Sequence, residues 1–241
     1  MKTIIAENYN EASKLSAKLI ADQIKVNPKS VLGFATGSTP EGAYRELVGM
    51  YEAGEINFSG VTTFNLDEYY PILRTNDQSY YYFMMNSLFS HVNIPAGNIN
   101  IPDGEAADTD TECADYEKKI EAAGGIDFQV LGIGLNGHIG FNEPNDHFTN
   151  VTNFVALHES TIEANARFFE TMDEVPKHAI SMGIGTIMRA KKILLMISGE
   201  HKADIAKEAV FGNITPGVPA SVLQLHADVT VVLDKDAAKL F

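Results

Sequence analysis

The chain has 241 residues, 45% hydrophobic and 21% charged, with a formal net charge of −14. That length and apolar fraction fit one large α/β domain without disorder, and so acidic a balance argues against a nucleic-acid or acidic-membrane surface. The single cysteine, Cys113, excludes an intrachain disulfide and is consistent with a reducing compartment. It sits in the polar stretch 108–119 with no histidine nearby, which makes it a poor catalytic thiol.

Apolar runs alternate with helical patterns along the chain. Residues 1–7 hold too short an apolar run for a signal peptide, and no stretch approaches the roughly 18 apolar residues of a membrane helix. The expected compartment is the cytoplasm. Ala12, Leu15, Leu19 and Ile20 recur at helical spacing and predict an amphipathic helix before Asn27-Pro28. Residues 31–36 predict a strand, 40–53 a helix, 61–66 a second strand and 128–133 a third. Further strands are expected at 179–183, 193–198 and 229–233, with helices around 163–172 and 201–211. The alternation predicts a mostly parallel sheet covered on both faces, in one domain.

Polar motifs follow the strands. Thr36-Gly37-Ser38-Thr39 follows the first, Asp67-Glu68-Tyr69 the second, and Asn136-Gly137-His138 follows the third after a short glycine-rich turn. In open α/β sheets, ligands bind beyond the carboxyl ends of the strands where the strand order reverses. Three segments therefore point to one sheet edge.

Each motif has a structural reading beside a functional one. Ser38-Thr39-Pro40-Glu41 fits a helix capping box, and the same helix start is a phosphate cradle of N–H groups and hydroxyls. It is not a P-loop, so ATP is not implied. Asp67 either caps the following turn or acts as a general base whose basicity partial desolvation raises. Glu68 is the less suited base, because adjacent side chains diverge. His138, flanked by glycine, has little packing surface to satisfy. Glu143 is placed to orient its imidazole and support the protonated form, although Asn136-Gly137 also fits a simple tight turn. His138 and His147 do not have a metal-site spacing, and no metal is expected. Arg167 and Lys202 read either as solvated surface charges or as phosphate partners. A lysine at the start of a helix, such as Lys202, opposes the helix dipole, which an anion relieves.

Taken in order, these segments resemble the glucosamine-6-phosphate deaminase family over nearly the full length. The resemblance rests on Ala35-Thr36-Gly37-Ser38-Thr39-Pro40, Phe64-Asn65-Leu66-Asp67-Glu68-Tyr69, Gly137-His138-Ile139-Gly140-Phe141-Asn142-Glu143-Pro144, Asn165-Ala166-Arg167-Phe168-Phe169 and Ile180-Ser181-Met182-Gly183-Ile184-Gly185-Thr186. The related 6-phosphogluconolactonases share the glycine-histidine turn, but the Phe-Asn-Glu-Pro continuation is similar to the deaminases. The resemblance implies a Rossmann-like three-layer α/β sandwich and conversion of glucosamine 6-phosphate to fructose 6-phosphate and ammonia, without a metal or organic cofactor. It implies that Asp67 moves a proton between C2 and C1 through a cis-enolamine, and that His138 assists ring opening. Glu143 would belong to the histidine's relay. Thr36, Gly37, Ser38, Thr39, Arg167 and Lys202 would hold the phosphate.

Two departures bear on these expectations. Asn136 stands where many members carry aspartate; an amide still orients an imidazole but cannot stabilise imidazolium as a charge. The stretch after Pro144, residues 145–154, carries no Lys or Arg, whereas allosteric hexameric members place basic effector-binding residues there. The chain also ends soon after the last predicted strand. A non-allosteric monomer is therefore expected, with a lid over the sugar around 145–175. Two rival functions remain: a phosphogluconolactonase-type hydrolase, and a sugar-phosphate sensor, which would want a DNA-binding segment and no acid/base set.

Overall fold

The computed structural model describes residues 1–166, 169 and 171–241. Among them, ten strands form two sheets. The larger contains β1 (Lys2–Ala6), β2 (Val31–Phe34), β3 (Thr62–Asn65), β5 (Ile99–Asn100), β6 (Phe128–Leu131), β9 (Ile193–Ile197) and β10 (Val229–Asp234). All its pairings are parallel, in the order β1-β10-β9-β6-β2-β3-β5. The smaller, β4 (Asp67–Tyr70), β8 (His178–Ser181) and β7 (Asn153–Ala156), is antiparallel in the order β4-β8-β7.

Two apolar layers cover the parallel sheet. On β9, Ile193, Leu195 and Ile197 enter one core, while Leu194 and Met196 enter the other. Burial on both faces explains why this strand is a continuous apolar run, since each such side chain contributes roughly 1.5–3 kcal/mol when withdrawn from water. The first core is closed by α4 (Thr109–Ala122), α6 (Ile184–Met188) and α7 (Ala203–Phe211). The second is closed by α1 (Tyr9–Val26), α2 (Ser38–Glu52) and α3 (Tyr80–Ser87). The result is the expected three-layer α/β sandwich.

Several elements differ from the sequence pattern. The strand expected at 179–183 forms as β8 but belongs to the antiparallel sheet. The helix expected at 163–172 is α5 (Glu159–Asn165), starting earlier and ending sooner. Thr171 is extended and opens a separate 3₁₀ turn, Met172–Glu174, so a continuous helix through that point is not formed. The helix expected from 201 begins with a 3₁₀ turn, Glu200–Lys202, before α7. Helix α4 was hidden by its polarity: only Cys113, Tyr116 and Ile120 are buried, and Asp108 caps it by accepting the Asp110 and Thr111 N–H groups. Burial pushes the Cys113 thiol up to about 11, away from thiolate chemistry.

The topology positions the site. From β2 the chain moves outward to β3 and β5, and from β6 it moves the other way to β9 and β10. The order reverses between β2 and β6, which is where a ligand crevice forms in such sheets. Beside it, β3 passes through Leu66 directly into β4. Leu66 donates its N–H to Phe34 O (3.0 Å) and accepts the Met182 N–H (2.8 Å). Asp67 is thereby the first residue beyond the parallel sheet, paired with Ser181 of β8.

Candidate active site

Asp67 is 6% exposed, and its carboxyl accepts none of the hydrogen bonds found among the described residues. Burial, and secondarily the neighbouring Glu68 charge, push its pKa up to about 8. The Gly140 backbone passes close by at φ 59°. A Cβ there would meet Ser181 Oγ at 3.0 Å and lie 3.4 Å from Asp67 Oδ2, so the loop after β6 can approach the carboxyl only as glycine. Asp67 does not cap the following helix.

Glu68 does. Its Oε1 accepts the Tyr69 and Tyr80 N–H groups at 2.9 and 2.8 Å, and its Oε2 accepts the Tyr81 N–H at 2.8 Å. Burial pushes Glu68 up to about 7 even against these three lowering bonds and the Arg74 charge. With its lone pairs turned to the start of α3, Glu68 is a structural carboxylate. The two adjacent acids diverge as expected.

The turn after β6 builds a second polar centre. Gly134 donates its N–H to His138 O (2.9 Å), and Gly137 donates to Gly134 O (3.0 Å). His138 Nδ1 lies 3.3 Å from Glu143 Oε2, within ion-pair reach but off the line a directional hydrogen bond requires. Asn136 Nδ2 donates to Glu143 Oε2 at 2.6 Å, and its Oδ1 accepts the His138 backbone N–H at 3.2 Å. The expectation that Asn136 orients the imidazole is corrected in one respect. Among the described residues its side chain bonds the carboxylate and the backbone, because the half-buried Glu143 needs donors. On the other carboxylate oxygen, Thr161 Oγ1 of α5 donates to Oε1 at 2.5 Å. Burial raises the Glu143 pKa, but the nearby His138 and the hydrogen bonds from Thr161 and Asn136 outweigh it and hold the pKa near 2. Glu143 is therefore a fixed negative charge behind His138.

Residues 36–39 form the start of α2, with a correction to the capping box. The N-cap is Gly37 at φ 95°, one residue before Ser38, and it makes no side-chain capping bond. Its left-handed turn lets the helix begin already at Ser38, so the box geometry between Ser38 and Glu41 does not arise. Gly37 and Ser38 are exposed and Thr36 and Thr39 half-buried. Tyr9 braces the turn, donating its hydroxyl to Ser38 O and accepting the Gly42 N–H, both at 2.8 Å. An uncapped helix start presents N–H groups suited to an anion.

Lys202 reaches back to the strand end, its Nζ donating to Ile133 O at 2.7 Å. It therefore lies over the end of β6, beside the reversal of strand order. Arg167 falls outside the described residues. Among those described, no group of three or more His, Cys, Asp or Glu side chains is placed to hold a metal ion. Sequence reasoning missed Thr161 and the aromatic wall beside Asp67. There, Tyr69 lies 4.7 Å from Tyr80 and 5.6 Å from Phe141, and Tyr80 stacks on Phe141 at 6.0 Å. The aromatic composition near Asp67 was a usable signal for the wall; nothing local marks Thr161.

The arrangement offers two acid/base centres of opposite character: an isolated carboxyl with raised proton affinity, and a histidine backed by a fixed carboxylate. Residues 6–232 match the family model for glucosamine-6-phosphate isomerases and 6-phosphogluconolactonases. A glucosamine-6-phosphate deaminase from Clostridium botulinum (strain Langeland) is 56% identical over 238 residues, covering 99% of this chain and 98% of the relative. One from Thermoanaerobacter pseudethanolicus is 55% identical over 240 residues, covering 100% and 95%. Among solved structures, a monomeric glucosamine-6-phosphate deaminase superposes with a TM-score of 0.97 at 45% identity, covering all of both chains. The 6-phosphogluconolactonase of Leishmania guyanensis shares the fold, with a TM-score of 0.77 at 20% identity over 99% and 98% of the two chains.

Proposed function

The chain belongs to the glucosamine-6-phosphate isomerase and 6-phosphogluconolactonase family, and from that premise we propose that it is a glucosamine-6-phosphate deaminase in which Asp67 and His138 divide the proton transfers. The observation that carries the division of labour is the pair of contrasting centres: the isolated Asp67 carboxyl, with a pKa near 8, and His138, backed by a Glu143 held near 2.

The chemistry requires both. The pyranose must open before the C2 hydrogen becomes acidic, because only the open form has a C1 carbonyl to take up the electrons. His138 shuttles the proton between the O1 hydroxyl and the ring oxygen, and Glu143 stabilises the imidazolium that forms. Asp67 then removes the C2 proton, giving an enolamine across C1 and C2, and returns it at C1. The resulting C2 imine takes up water and breaks into fructose 6-phosphate and ammonia. A base of ordinary carboxylate strength is poorly matched to a carbon acid, and desolvation raises its proton affinity toward the required range. The start of α2 at Thr36, Gly37, Ser38 and Thr39 receives the phosphate with Lys202 and Arg167, and the segment 145–175 serves as a lid.

The same reading makes the protein a cytoplasmic monomer of one catalytic domain without effector activation. Its support is the monomeric structural relative and the lack of Lys or Arg in 145–154. The test is ammonia release coupled to fructose 6-phosphate detection on metal-free protein. Equimolar products are expected. Binding without turnover would return the sensor reading, and lactone hydrolysis without ammonia release would favour the hydrolase.

A further inference from the structure

The Glu143 carboxylate is shared between two parts of the fold. Its Oε2 faces the turn after β6, taking the Asn136 amide at 2.6 Å and lying 3.3 Å from His138 Nδ1. Its Oε1 faces α5 and takes the Thr161 hydroxyl. Thr161 is 6% exposed, and Glu143 and Thr161 are 18 positions apart in the chain. A carboxylate bonded on one oxygen alone can rotate about its terminal torsion, which is broad for glutamate. With both oxygens engaged, rotation breaks a bond on each side. The neighbouring Ile162 packs on the cluster of Tyr69, Phe141 and Leu157, so α5 is anchored where the hydroxyl is presented.

We propose that Thr161 is a positioning residue, whose hydroxyl fixes the Glu143 carboxylate so that its other oxygen stays aimed at His138. This rests on the deaminase reading above, in which His138 works as an acid/base. Thr161 touches no reacting atom; it acts through Glu143. It also makes the histidine's partner depend on where α5 sits, so a displacement of α5 releases one oxygen of the carboxylate. A side chain with the same shape but no hydroxyl removes the bond and leaves the packing.

The experiment compares Thr161→Val and Thr161→Ser, alone and combined with Glu143→Gln. Thr161→Val should lower kcat about 10- to 100-fold, the worth of one hydrogen bond to a charged group, with KM changed less than about threefold. Thr161→Ser keeps the hydroxyl and should stay within about threefold of the parent. In the Glu143→Gln background, Thr161→Val should add little, because the interaction through which it acts is already altered. Equal losses in both backgrounds, or a serine variant as impaired as valine, would overturn the proposal. Independently of turnover, ¹³C carboxyl titration of the folded variants should show Glu143 protonating at higher pH in Thr161→Val than in the parent. An unchanged titration also overturns it, even should the parent prove inactive on glucosamine 6-phosphate, an outcome that sinks the functional reading separately.

Discussion

Asp67 concentrates the opposition between function and stability in one side chain. A buried carboxyl with no hydrogen-bond donor among the described residues is a strong base because the fold holds its anion poorly. Its folded-state pKa, about 8, lies above the ordinary 3.8, so the native state binds more protons than the unfolded chain between those values. Stability attributable to this group is complete below about pH 4 and is lost as pH rises through 8. Glu68, pushed up to about 7, acts in the same direction. Asp67→Asn removes that titration. The variant's melting temperature should gain on the parent's between pH 5 and 8, and parallel curves across that range would show that the carboxyl ionises freely. In the assay the same variant should lose about 10²–10⁴-fold in kcat, the usual worth of a general base, while still binding the sugar phosphate. Near-normal kcat would move the C2 base elsewhere.

At the scale of elements, the informative contrast lies between two helix starts. The start of α3 is satisfied by its N-cap Ser79, which accepts the Tyr82 N–H, and by Glu68, which accepts the Tyr80 and Tyr81 N–H groups together with that of Tyr69. Among the described residues, the N-cap of α2, Gly37, makes no side-chain capping bond. One helix start takes up a buried acid; the other lacks a side-chain cap at its N-cap, which is what the proposed phosphate site uses. Glu68→Ala should therefore destabilise the fold by roughly 2–3 kcal/mol, the cost of stranding N–H groups that had donated to the Glu68 carboxyl. Urea unfolding would measure it. A midpoint within error of the parent would mean that water reaches the start of α3.

At the scale of the molecule, the reversal of strand order between β2 and β6 gathers segments that are distant in the chain. The residue 36–39 turn, the β3–β4 junction at Asp67, the His138 turn and Lys202 over Ile133 all lie at the carboxyl edge of one sheet. On the proposed reading, supported by the monomeric structural relative, the protein should run as a monomer in size exclusion with light scattering. Its rate curve should be hyperbolic and unchanged by N-acetylglucosamine 6-phosphate. A sigmoidal curve that this compound straightens would require an oligomer and an effector site.

Much of the site was legible because the chemistry is local in the chain. Asp67 and His138 sit in short motifs at strand ends, and Glu143 is five residues past His138. Buried strands such as Ile193–Ile197 were equally plain, since burial on both faces requires an uninterrupted apolar run. Polarity concealed α4, whose buried stripe is narrow, and β1 escaped notice because its run is short and mostly exposed. Sequence by itself determined the residue types, the alternation of strand and helix, and the strand ends where polar groups emerge, because periodicity and turn chemistry act over a few neighbours. Only the tertiary structure decided that β8 leaves the parallel sheet, that Glu68 rather than Asp67 takes N–H groups at the start of α3, and that Thr161 meets Glu143. Those outcomes depend on how separate elements pack, and a buried donor takes whichever acceptor the packing brings within reach, however far apart the two lie in the chain.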